Sequence, residues 1–479
     1  MTSPMLYKTN YDLANCKTGI VHLGYGAFHR AHQSVYIDDY MEKTGDLNWA
    51  ITAINLRSSD SGTFAKAAGA KSNYVLKEID TNGTPTYRLV RSHAEYIDAT
   101  TSRARAIEKI CEEQVKVISA TVTESGYYFK NDWSLNLSAG PIAAGLRGEQ
   151  VETIYDFLAA ALQARSLSDA GPVSVLCCDN IRDNGHVLKN ALIAYLAAQR
   201  NDRLVSWIQE NVTFPCSMVD RITPRTTEAL ETEIETYWGH DAQSPVHAEA
   251  FIQWVLEDRF ASDFPDLSQV GVEIVADVVP YEETKIRILN GGHTGLAYLG
   301  ALAGHETFDQ AMQDQEIRAH FDAWERDEVL IGLDKNIPFD TVAYLGEISR
   351  RFENAGIADG LERICMDGYS KMSIYIRPTL SACLKLGVLP KAGLIALHLG
   401  LSTHGAYKKV SAKYLTTNHY GTVSHHLWPR EMKRDWRMTT NFGATFQTDT
   451  MNLCLHLLQQ LKRWIRNGGL NSTKRCKIL

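Results

Sequence analysis

No uninterrupted apolar run in this 479-residue chain approaches the ~20 residues needed to cross a bilayer. The opening residues MTSPMLYKTN lack the basic start, apolar core and small-residue cleavage site of a secretory leader, so the cytoplasm is the expected compartment. Nine cysteines form no CxxC pair, and the adjacent Cys177 and Cys178 lie in an apolar run that reads as a buried strand, which argues against a disulfide framework. There is no HExxH string and no Cys/His grouping with zinc-ligand spacing, so no metal is expected. RRM, KH, zinc-finger and helix-turn-helix signatures are missing as well, and an acidic body argues against a nucleic-acid partner.

What remains is ordinary globular composition, 44% hydrophobic and 22% charged, with length enough for two domains. Charge is uneven. Residues 401–479 hold 13 Lys/Arg against 3 Asp/Glu, whereas the whole chain carries −7, so this tail differs in kind from the body.

Short apolar runs alternate with helix-compatible stretches. Gly19–Leu23, the run ending at Leu56, the run ending at Thr123 and Val173–Cys178 read as strands. This pattern predicts an α/β protein: a Rossmann-like, doubly wound parallel domain over 1–280, followed by a mostly α-helical domain over 281–479.

In HLGYGAFHRAH, Gly24 and Gly26 fall at the turn after the first strand, where backbone must approach a pyrophosphate at a helix start. The fingerprint is partial. His29 replaces the third glycine of GxGxxG, and Asn55 stands where an acid usually ends the second strand. Arg30 is placed to reach a phosphate and Asp60 to accept from a ribose hydroxyl, although a loop carboxylate at Asp60 is an equal reading.

The string PYEETKIRILNGGHTGLAYLG, Pro280–Gly300, carries the chemistry. At ~100° per residue, Lys285, Asn290 and His293 fall within an arc of roughly 140° and can face one cavity. Oxidation of a secondary alcohol needs a base for the hydroxyl proton and donors for the developing alkoxide. A lysine can serve as that base when burial and positive neighbours lower its pKa from ~10.4; Asn290 and His293 would then be the donors. A surface lysine beside a satisfied core histidine is the competing reading. Further polar residues are Asn180 in CDNIRDNG, Asp220 in MVDRITP, and Arg363 and Lys371 in ERICMDGYSK, each of which also reads as a turn or surface ion pair.

At these strings, together with TVTESGYY, NVTFPCSMVDRITPR and FIQWVLED, the sequence resembles the polyol-specific long-chain dehydrogenase/reductase family from about residue 18 to about 397. The resemblance implies a metal-independent enzyme that moves a hydride between NAD and a sugar alcohol or its ketose. It also implies Lys285 as general base, Asn180 and Asn290 as the oxyanion-stabilising pair, and His293 on the substrate hydroxyl. Asp220, Arg363 and Lys371 would line the polyol site, Glu282 would relay the proton, and Gly24, Gly26, Phe28, Arg30 and Asp60 would hold the cofactor. Asp60 resembles the family position that favours NAD over NADP, and a monomer is implied. CDNIRDNGHV also resembles fructuronate reductases, which leaves uronate reduction as an alternative; an inactive nucleotide-binding homologue is another.

After Leu397 the resemblance stops where the charge changes sign. We read 401–479 as an out-of-frame translation, since codons chosen for Leu397–Leu401 yield ASWA, a family-like string, from the third base.

Overall fold

The computed structural model describes residues 3–69, 73–130, 133–239, 244–365, 371–397 and 399–400. The expectation for 401–479 lies outside the described residues. The chain divides into two compact units, Met1–Glu282 and Glu283–Leu479.

In the first unit, Thr18–Leu23 (β1), Ala50–Asn55 (β2), His93–Asp98 (β3), Val117–Ala120 (β4), Val173–Cys177 (β5) and Val212–Thr213 (β6) form a parallel sheet. Its order is β3-β2-β1-β4-β5-β6. Every residue of β1, β2, β4 and β5 is buried, as expected where both faces of a sheet are covered. Alternate residues serve opposite cores. Val21 and Leu23 face Phe157, Leu158, Leu188 and Leu192 from the helices Ile154–Arg165 and Asn184–Ala198. Ile20, Ile51 and Leu176 face Tyr36, Ile37, Met41 and Trp254.

Arg165 ties the strand entries together from inside. Fully buried, it donates to the carbonyls of Ile110, Val115, Ala170, Gly171 and Pro172 at 2.5–3.1 Å.

Two smaller sheets went unread in the sequence. One contains the hairpin of Tyr74–Ile79 and Pro85–Val90, closed through Gly83 at φ +80, where an L side chain is disfavoured. The other joins Ser217–Asp220, Gln253–Glu257 and Glu273–Val275. Their strands are short, and mixed pairing hides them from a reading tuned to long apolar runs.

The second unit is helical. Its principal helices are Gly291–Ala303, Gln315–Trp324, Thr341–Phe352 and Arg377–Lys385. Among the described residues, three π segments, Ile286–Asn290, Glu325–Val329 and Met372–Ile376, interrupt it, and the first packs against the other two.

Candidate active site

β1 ends in a turn that only glycine forms easily: Gly24 has φ +114, and its N–H reaches the Ile54 carbonyl of β2 at 2.7 Å. Gly26 then caps the short helix Ala27–Ala31. No heavy atom stands within 4 Å of where a Cβ on either glycine would lie. The turn therefore presents bare backbone to open space at the carboxyl end of β1, beside the point where strand order reverses between β1 and β4. A dinucleotide pyrophosphate fits such a place.

Around this turn the predicted residues differ in exposure. Phe28 stacks on His32 with ring centroids 5.0 Å apart. Arg30 is buried, lies over the Tyr25 and Tyr74 rings at 4.9 and 5.4 Å, and donates to the Ser244 carbonyl at 2.5 Å. Asp60 sits in the exposed turn Ser58–Asp60, 3.7 Å from Arg57. Asn55 organises that loop, its amide reaching the Arg57 carbonyl at 2.9 Å and Asp98 at 3.1 Å.

His29, at the third-glycine position, turns inward. Its imidazole stacks on His22 at 3.4 Å, meets His93 Nε2 at 3.0 Å and shares Gln33 through Nδ1 at 3.1 Å. Burial pushes His22 down to about 3 and holds His29 and His93 well below the usual histidine range.

Beyond β5, Asn180 is exposed. Its neighbour Asp179 is buried and accepts from the Tyr127 hydroxyl of the TESGYY string at 2.5 Å, while Asn184 Nδ2 reaches the Ser217 carbonyl at 2.9 Å. This network holds the loop that carries Asn180. Asp220 is buried opposite Gln253 in the three-stranded sheet. Glu282, also buried, accepts from the Asp183 N–H at 3.1 Å through Oε2, while Oε1 has no partner among the described residues. Burial raises its carboxyl to about 7.

Lys285, three residues further along Val279–Lys285, is only 4% exposed, so it is no surface lysine. The helix does not continue regularly. Ile286–Asn290 is a π turn in which Gly291 N–H bonds the Ile286 carbonyl, five residues back. Such a turn brings residues five apart closer in azimuth than α-helical spacing does, so Lys285 and Asn290 approach one face more nearly than a uniform 100° per residue gives. Local sequence could not show this, because the π turn is anchored from afar: Arg287 donates to Gly332 O at 2.6 Å and Thr379 Oγ1 at 3.1 Å. Asn290 Oδ1, an acceptor, is buried without a partner among the described residues.

His293 stacks on Phe352 at 5.3 Å and places Nε2 3.6 Å from Asp359. Burial lowers it to about 3 against the attraction of Asp359, so the ring is neutral. Arg363 grips the same carboxylate, Nε to Oδ1 at 2.8 Å and Nη2 to Oδ2. Lys371 donates to the Ile364 carbonyl at 2.7 Å, and its charge, with those of Arg363 and Arg351, acts on His293. The second unit thus brings His293, Arg363 and Lys371 together. His293 and Arg363 meet at Asp359, which sequence reasoning missed and whose only local signal is its i,i+4 spacing from Arg363.

Strand order and the bare glycine turn put the first unit in the Rossmann class of dinucleotide-binding folds. Within that class the chain belongs to the mannitol dehydrogenase family: the family's Rossmann-domain model matches residues 18–269 and its C-terminal-domain model residues 277–412. The second match runs past Leu397, where the sequence reading ended the resemblance. A D-arabinitol 4-dehydrogenase of Ralstonia nicotianae is 37% identical over 80% of this chain and 82% of its own. A polyol:NADP oxidoreductase of Gluconobacter oxydans is 34% identical over 77% and 76%. The solved structure of Pseudomonas fluorescens mannitol 2-dehydrogenase with NAD and D-mannitol superposes with a TM-score of 0.78 at 35% identity, covering 83% and 82%.

Proposed function

We propose that this chain oxidises a secondary alcohol of an open-chain sugar alcohol, of the D-arabinitol or D-mannitol class, with NAD as acceptor, and reduces the ketose in reverse. The observation that carries the reading is Lys285, buried at the junction of an α and a π turn and one π turn from Asn290. NAD supplies the hydride acceptor.

Lys285 takes the hydroxyl proton, and the amides of Asn180 and Asn290 donate to the developing alkoxide. His293, kept neutral by burial and oriented by Asp359, hydrogen-bonds the substrate hydroxyl. Glu282, one turn from Lys285 and titrating near neutrality, passes the proton on. Asp220, Lys371 and, through Asp359, Arg363 shape the polyol pocket. The Gly24–Gly26 backbone receives the pyrophosphate, with Phe28 beside it and Arg30 as a positive charge behind the turn. Asp60, exposed and acidic, accepts from the adenosine ribose and repels the extra phosphate of NADP. Residues 1–280 bind the dinucleotide and the helical remainder carries the base. The enzyme acts as a cytoplasmic monomer without a catalytic metal.

The names of the relatives favour a polyol over a uronate. A panel of sugar alcohols and uronates assayed with NAD and NADP, with Lys285→Ala alongside, tests the reading. Steady NADH formation with D-arabinitol or D-mannitol, absent from the variant, supports it; nucleotide binding without turnover of any substrate overturns it.

A further inference from the structure

Asp183, His186 and Cys216 come from two stretches of chain, the start of helix Asn184–Ala198 and the residue before strand Ser217–Asp220, and converge on one point. Asp183 Oδ1 lies 2.5 Å from His186 Nδ1 and 3.4 Å from Cys216 Sγ, and Sγ lies 3.6 Å from Nδ1. With zinc bonds of ~2.0 Å to N or O and ~2.3 Å to S, the edges of a tetrahedral site are about 3.3 Å between N and O and about 3.5 Å to sulfur. Both sulfur edges already match. The Asp183–His186 edge is a hydrogen bond that must open by about 0.8 Å to admit an ion.

We propose that Asp183, His186 and Cys216 bind a borderline-soft divalent cation of the zinc class, and that filling this site slows turnover through Glu282. The donor set, one thiolate, one imidazole and one carboxylate, selects such an ion over magnesium or calcium, which take oxygen donors. Asp183 and His186 are partly exposed, which gives the ion an entry path, and the fourth position belongs to water.

Arg259 is the obstacle. Its Nη1 sits 3.1 Å from His186 Nε2, so His186 now carries its proton on Nδ1. On loading, the ring changes tautomer and Arg259 turns fully to Glu257, which Nη2 already meets at 3.3 Å. The Cys216 thiol gives up one proton, so the two anionic donors balance the dication.

The link to turnover is direct. The N–H of Asp183 bonds Glu282 Oε2, so an ion that moves Asp183 disturbs the proposed relay and adds positive charge beside it. This half of the inference rests on the proposed role of Glu282; the binding half does not.

The test uses the full chain, stripped with chelator and titrated with zinc chloride against a chromogenic indicator in thiol-free buffer. Wild type should withdraw one more zinc equivalent than Cys216→Ser or His186→Gln, and release one proton as it does so. Excess magnesium or calcium should not prevent this. Equal zinc uptake by wild type and both variants overturns the site, and two variants on separate segments guard against one failing to fold. Turnover of each protein against its own metal-free rate should fall about tenfold at saturation in wild type and less than twofold in the variants. A filled site with undiminished turnover overturns the coupling to Glu282. Absence of turnover in metal-free wild type defeats the dehydrogenase reading instead, while the zinc count still decides the site.

Discussion

Lys285, Glu282 and His293 are three shielded titratable groups within twelve residues, and their environments divide the work. Lys285→Ala should lower kcat by roughly 10²- to 10⁴-fold, the usual contribution of a positioned base, while NADH titration by fluorescence still shows binding. Loss of binding along with turnover would point to collapse of the fold instead. Glu282, raised to about 7, accepts a proton only when ionised. Polyol oxidation should therefore decline as pH falls through about 7, and Glu282→Gln should remove that limb from the kcat profile. His293, lowered to about 3, should contribute no inflection between pH 5 and 9. Lys285 and His293 were legible in the sequence from the chemistry they suit, and Glu282 only through the family resemblance. Their burial was not, because nothing local distinguishes a buried lysine from a solvated one. Asp359, which orients His293 and holds Arg363, escaped the sequence reading because its value lies in a residue 66 positions away in the chain.

At the level of elements, the His22–His29–His93 cluster replaces a glycine fingerprint with a neutral polar core. Folded, these rings resist protonation; unfolded, they titrate normally near 6.5. Their contribution to stability is therefore complete above about pH 6.5 and is lost as pH falls below it, by up to about 1.4 kcal/mol per histidine per pH unit. A urea midpoint that stays level from pH 7.5 to 5 would contradict this. Arg165 acts similarly as a structural staple. Arg165→Met leaves five carbonyls without their donor and should cost about 3 kcal/mol or more, read as a lowered denaturation midpoint. In the second unit, the cluster of π segments buries Glu325, and that burial pushes its carboxyl well above the usual range. Gly292 fits this crowding. A Cβ on Gly292 would come within 2.9 Å of the Phe321 ring as well as onto Glu325 Oε1, so this glycine serves close packing rather than turning.

For the molecule as a whole, the sharpest expectation concerns the gene. If residues 401–479 are an out-of-frame translation, resequencing the coding DNA will show an insertion or deletion near the codon of Leu397; a clean, uninterrupted frame defeats the idea. A shifted frame also predicts poor solubility, because a tail with 13 basic and 3 acidic residues is unsuited to cover the apolar surface of a helical unit. Every proposed site residue precedes the tail, so the chemistry and the solubility can be assayed separately.

The sequence by itself determined the parallel sheet, the glycine turn and the lysine-bearing helix. Strand periodicity, the backbone freedom of glycine and helical spacing are all written in neighbouring residues. Only the tertiary structure decided that the helix passes through a π turn, that His29 belongs to a buried histidine stack, that Asp359 stands between His293 and Arg363, and that Asp183, His186 and Cys216 meet. Each of these depends on segments distant in the chain, brought within a few ångströms by packing that no local pattern records.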